Sequence, residues 1–308
     1  MTLLSRSDAL TKPWRRTRRW PTCAPGLAYI RIAHLRRLKG DLDGAVDLYR
    51  RAAGSFGPTA PEAAAWSWTQ VARLELALGR RPGCDRALDT ALNLVPSYPP
   101  ALLARGRLHL ASGEGELATT VLRQAVVAQP LPEYRWTLIE ALRFAGHAEE
   151  AVQVKRRLLA TGTLDDPRTM SLYLATQKLR PNLAVRLAKD DLDSRADAAT
   201  LDAVVWSLFA AGRNEEAGTW SERAVATGTR GARVLLHAGV IALARTETRL
   251  AQRRLMAAQT HANTLLPSER TQLDAARAAL TRLETTRSKT ARAKVLEQDR
   301  KEAPMPTL

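Results

Sequence analysis

Glu149 and Glu150 are adjacent carboxylates, and paired carboxylates serve general acid and base chemistry. The run Asp190, Asp191 and Asp193 offers oxygen ligands of the kind that hold a hard cation. His34, His109, His147, His237 and His261 are the nitrogen ligands a transition metal would use. Spacing argues against each of these uses. No two histidines stand at metal-ligand separation, and the aspartates surround no glycine-centred calcium loop. Gly113-Glu114-Gly115 is a turn rather than a phosphate cradle, and no GxGxxG, P-loop, GxSxG or HExxH is present. Cys23 and Cys84 form no CxxC. The sequence therefore predicts no catalytic residue, no cofactor and no metal.

The glutamates gain a different meaning from the elements around them. Glycines recur at Gly40, Gly79, Gly113, Gly146 and Gly212, in steps of 39, 34, 33 and 66, the last being twice 33. Five residues after each glycine stands a small residue: Ala45, Cys84, Ala118, Ala151 and Ala217. Seven further on lie Ala52, Ala91, Ala125, Leu158 and Ala224. Two copies without the glycine, around Ala184 and Ala251, bring the total to seven. A period in this range marks a repeat architecture. Each unit reads as helix, tight turn, helix, with the glycine ending the first helix in a left-handed conformation. The small residues belong where two helices cross closely. Asp43, Glu116, Glu149 with Glu150, and Glu215 with Glu216 all open the second helix, where negative charge suits the helix dipole. Recurrence at one slot makes the glutamate pair structural.

The stretch Trp68 to Pro96 carries Trp68, Val71-Ala72, Gly79, Cys84, Leu88, Ala91 and Pro96, and so resembles the tetratricopeptide repeat family. Ala101 to Pro130 matches as well, through Gly106, Gly113, Ala118, Leu122 and Ala125. The segment Leu201 to Ala244 is similar to a common bacterial style of this family. The resemblance implies an all-α, right-handed superhelical solenoid of helix-turn-helix repeats over residues 26–265. The fifth unit departs most, with Leu179 in place of the turn glycine and Pro181 following.

In this family the first helices of the units line a concave groove that holds a peptide. By that resemblance Arg31, His34, Gln70, Arg73, Arg107, Glu140 and Arg143 line the groove of units one to four. Trp136, Tyr173, Trp206 and His237 do so in units four to seven. The tryptophans Trp136 and Trp206 fit core packing as well as ligand contact. Arg and aromatic residues dominate interface energies, so a protein or peptide with an acidic segment and an apolar anchor is the implied partner. The Lys and Asn clamp with which some relatives hold a C-terminal carboxylate is missing, since its slots hold Ile30, His34, Gln70, Pro100 and Ala104.

The formal charge is +16 and the pI about 10.7. That balance fits a negatively charged partner, and it fits equally an Arg-rich, GC-biased composition. Residues 1–25 carry Arg6, Lys12, Arg15, Arg16, Arg18 and Arg19 against Asp8, and read as a disordered basic arm. Trp14 and Trp20 within it open a second reading, nucleic-acid binding through the arm and a basic face, or contact with an anionic membrane. Residues 266–284 are expected to cap the solenoid, with Leu273, Ala276, Leu280 and Leu283 on one face, and 285–308 to form a charged, partly disordered tail. No apolar stretch spans a membrane and no signal segment is evident, so the expected place is the cytoplasm. The function expected is a non-catalytic interaction scaffold. Self-association and a regulatory subunit role stay open.

Overall fold

The computed structural model describes residues 25–302, with side chains through residue 286. The basic arm, Cys23 and residues 303–308 lie outside the described residues. Fourteen helices pair in chain order. They are α1 (Pro25–Leu38) with α2 (Leu42–Ser55), α3 (Pro61–Ala77) with α4 (Arg81–Leu94), and α5 (Pro99–Ala111) with α6 (Gly115–Ala128). Then come α7 (Pro132–Phe144) with α8 (Ala148–Asp165), α9 (Pro167–Thr176) with α10 (Pro181–Ser194), and α11 (Ala198–Ala210) with α12 (Asn214–Ala226). The last pair is α13 (Ala232–Ala244) with α14 (Thr248–Thr260). A 3₁₀ turn (Ala262–Thr264) leads into α15 (Pro267–Glu302). No strand occurs among the described residues. The architecture is an all-α solenoid of helix-turn-helix units.

Sequence accounts for the joints. Gly40, Gly79, Gly113, Gly146 and Gly212 all have φ between 72° and 86°, which only glycine adopts without steric cost. Proline occupies the first turn of α3, α5, α7 and α9, where its missing N–H is not needed. Ala45, Ala118, Ala184, Ala217 and Ala251 are wholly buried, as are Ala52, Ala91 and Ala125 seven residues on from their own units' small residue. A Cβ on Gly106 would stand 2.4 Å from Leu122, so this position too is fixed by close helix approach.

The fifth unit corrects the sequence reading by one residue. The left-handed slot is Lys178 (φ 52°), not Leu179, and Arg180 (φ 44°) is a second left-handed residue just before Pro181. One extra residue separates the helices here, since α10 starts three residues after the slot whereas α4, α6 and α8 start two after theirs. In the seventh unit Thr246 (φ 60°) fills the glycine slot.

The acidic residues that open the second helices link neighbouring units. Asp43 pairs with Arg80 at 2.6 Å, Glu116 with His147 at 2.9 Å and Glu215 with Arg245 at 3.0 Å. Glu150 accepts two hydrogen bonds from Arg123, which hold its carboxyl below the usual range. Asp191 accepts from Arg195 and from Thr200, tying α10 to the start of α11. Burial pushes the Cys84 thiol up to about 12, as for an inert packing residue.

Leu273, Ala276 and Leu280 of α15 pack with Leu235, Leu236 and Leu255 of the last unit, while Leu283 is exposed. The segment just before and at the start of α15 does more, and it decides the shape of the groove.

Candidate functional site

The first helices of the units line one face of the solenoid, and the chain bends far enough for its two ends to meet across that face. The 3₁₀ turn contacts α3 and α5, and α15 contacts α7 as well as α13 and α14. His261 Nδ1–H donates to the carbonyl of Ala77 at 2.9 Å. Ser268 donates to the Glu140 carboxylate through both its amide (3.1 Å) and its hydroxyl (2.9 Å). Leu265 and Leu266 are buried, and Leu266 joins the large central core. Residues 261–269 therefore occupy the middle of the groove.

Local sequence explains the geometry of that insert. Pro267 takes the first position of α15, and Glu269 reaches back to accept from the Leu266 amide at 2.8 Å. This is half of a capping box. The other oxygen of Glu269 pairs with Arg233 at 2.6 Å. Burial works against an ionised Glu269, but Arg233 and the Leu266 amide outweigh it and lower its pKa. The Arg233 guanidinium also stands 5.5 Å from the Trp136 ring centroid, within cation–π range.

The residues expected to line the groove divide into two sets. Trp136, Glu140, Tyr173, Trp206 and His237 are each at most 4% exposed. Trp136 meets Tyr173 edge-on at 5.6 Å and donates to Glu140 at 3.3 Å. Burial pushes the Glu140 carboxyl up, with Ser268 offsetting it in part. Trp206 stacks on His237 at 4.0 Å and donates its indole N–H to Thr176 at 3.0 Å. His237 Nδ1 lies 2.8 Å from a buried oxygen of Asp202. In this conformation all five are interior packing. Arg107 is half-buried and donates to Glu133 at 2.9 Å.

The second set is accessible. Arg31, His34, Arg73 and Arg143 are exposed, and Gln70 is half-buried. His34, Gln70 and Arg73 come together on α1 and α3, whereas Arg143 sits apart beside Gln177 at 3.4 Å. Burial and the nearby Arg37 keep His34 below the ordinary histidine range. Three contributors escaped the sequence reading, namely Arg37, Arg230 and Trp66 as a wall of the same cavity. No repeat signal marks Arg230, because it lies in the connection between units. Among the described residues no three His, Cys, Asp or Glu gather as a metal site would require. No described helix is long and apolar enough to cross a membrane.

No family model matches the chain, and no curated protein matches it. Solved structures do resemble it. A tetratricopeptide repeat protein from Parabacteroides merdae is 16% identical, with 82% of this chain and 99% of that one aligned at a TM-score of 0.44. Yeast Tom70 is 16% identical over 83% of this chain and 63% of its own length, with a TM-score of 0.40. The APC/C hetero-tetramer Cut9-Hcn1 is 15% identical over 82% of this chain and 55% of that one, at 0.44. Seven successive helix-turn-helix pairs, each turned by a left-handed residue, most of them with buried small residues at the helix crossing, make this chain an all-α solenoid of helix-turn-helix repeats.

Proposed function

We infer that this chain is a non-catalytic scaffold, acting in the cytoplasm, that binds a partner protein or peptide through the part of its groove left open. One observation supports this most: Arg31 and Arg73 are exposed on the first helices, and no carboxylate lies within ion-pair distance of either among the described residues. A solenoid face that carries unpaired cations beside half-buried Trp66 suits a segment with acidic residues and an apolar anchor. The aromatic half of the groove is self-occupied, so the partner contacts lie at the amino-terminal units and around Arg143.

The test is affinity capture from native lysate, with and without nuclease. The control carries Arg31→Glu, Arg73→Glu and Arg143→Glu, all exposed, so the fold is expected to persist. Retention of one protein regardless of nuclease, lost in the control, supports the scaffold. Retention that needs nucleic acid and survives the changes replaces it with nucleic-acid binding, whose affinity falls steeply with salt.

A further inference from the structure

We propose that the seam where the two ends of the solenoid meet is a binding site for a small organic anion carrying two or more phosphate or carboxylate groups. A cavity of about 440 Å³ lies there, within the range of small-molecule sites. One wall comes from α1, α2 and α3, the other from Thr229–Ala232 and from His261 and Thr264. Arg37, Arg73 and Arg230 all line it, and no Asp or Glu does. Elsewhere the chain pairs its arginines readily: Arg50 with Glu75, Arg80 with Asp43, Arg81 with Glu114 and Arg123 with Glu150. None of the three seam arginines has a carboxylate within 4.0 Å among the described residues. Arg37 has only a 3.4 Å contact with His34.

Three guanidiniums facing one cavity repel one another, and an anion between them turns that repulsion into paired, charge-assisted hydrogen bonds. The rest of the wall sets apolar Leu38, Leu42, Leu74 and Trp66 beside polar Gln70, Thr229 and Thr264, so the ligand carries its charges on an organic body with polar groups of its own. The arrangement needs both ends of the chain. The Arg230 side chain lies against Gly40, 3.2 Å from where a Cβ would stand, and His261 is held by Ala77. The amino-terminal residues are no substitute ligand, since Arg6, Lys12, Arg15, Arg16, Arg18 and Arg19 face one Asp8 in charge. The site shares Arg73 and Trp66 with the partner surface, whereas Arg31 and Arg143 lie outside it, so Arg37 and Arg230 are the residues that test it alone.

The experiment is isothermal titration of the full chain with pyrophosphate, citrate and adenosine triphosphate at low salt. At least one probe is expected to bind saturably at one per chain and to raise the thermal midpoint. Arg37→Gln and Arg230→Gln should each weaken it at least about tenfold, since a charge-assisted bond is removed. Arg156→Gln, exposed and away from the seam, should not. Without ligand the two seam variants should melt no lower than the parent, because each relieves repulsion. The proposal is overturned by absence of saturable binding, by equal affinity in the seam variants, or by a lower unliganded midpoint in them. A poly-glutamate peptide that binds tighter than every small anion also overturns it and gives the cavity to the scaffold's partner.

Discussion

The two halves of the groove treat charge in opposite ways. Over α7 to α13 the groove is filled, and its buried ionic groups have partners: Glu269 and Arg233 pair, His237 meets Asp202, and Glu140 accepts hydrogen bonds from Ser268. Over α1 and α3 it is open, and Arg31, Arg37 and Arg73 have no acidic partner among the described residues. A charge removed from water without a partner costs several kcal/mol, so the filled half had to supply partners from within the chain. The open half leaves its cations to water or to a ligand. On the proposed reading the exposed cations of the amino-terminal units serve binding, and the matched groups of the filled half serve stability.

That contrast is sharpest at Trp206. Trp206→Ala should cost about 3–5 kcal/mol in urea unfolding, as for a buried aromatic, whereas Arg31→Ala should stay within about 0.5 kcal/mol. Similar losses for both would erase the distinction. Glu269→Gln comes next, at about 3 kcal/mol, because it strands Arg233 beside the core and weakens the start of α15. The readout is the same unfolding curve, and a change below about 1 kcal/mol would mean that residues 261–269 do not hold the groove closed. Ala118→Leu should cost about 1–3 kcal/mol by overpacking a fully buried crossing. An unchanged midpoint there would contradict the repeat register. Lys178→Gly should stabilise by about 1 kcal/mol by removing a left-handed lysine, and thermal melting that shows a loss instead would give the lysine side chain a role of its own.

The smallest effect is a pH dependence. Burial raises the Glu140 pKa above its ordinary 4.5. Below that value both folded and unfolded chains hold the proton. As pH rises past it the unfolded chain releases its proton first, so stability falls until the folded pKa is passed. Glu269, whose pKa is lowered, contributes the opposite slope over a more acidic range. Subtracting the stability profile of Glu140→Gln from that of the parent isolates what Glu140 contributes. A difference that rises with pH above about 4.5 would reverse the assignment.

The repeating part of the molecule was legible because its causes are local. A glycine at φ 82° or 78° ends a helix, and an alanine allows a crossing, wherever the surrounding chain runs. Lys178 was misplaced by one residue because an insertion and two left-handed non-glycine residues leave no compositional mark. His34, Gln70 and Arg73 share one cavity. The fate of Trp136, Tyr173 and Trp206 was not legible, since it depends on a segment that arrives from the far end of the chain. The bend of each unit accumulates over seven units before His261 reaches Ala77, and no local pattern encodes that sum. The Leu265-Leu266-Pro267-Ser268-Glu269 run did carry a helix-start signal, with Pro first and Glu third. It announced the helix but not its docking site.

The bond between His261 and Ala77 spans 184 residues, and it changes how the molecule comes apart. An open array of repeats unfolds piecemeal, each unit answering to its neighbours, and loses stability in increments when trimmed. Here the last segment is fastened to the second unit, so fraying at either end releases contacts at both. Loop closure over most of the chain also places the docking of residues 261–269 late in folding, after the units have stacked. Trimming residues from 261 onward is then a different operation from removing a cap: it opens the ring, bares Trp136 and its neighbours, and returns the protein to the behaviour of a linear array.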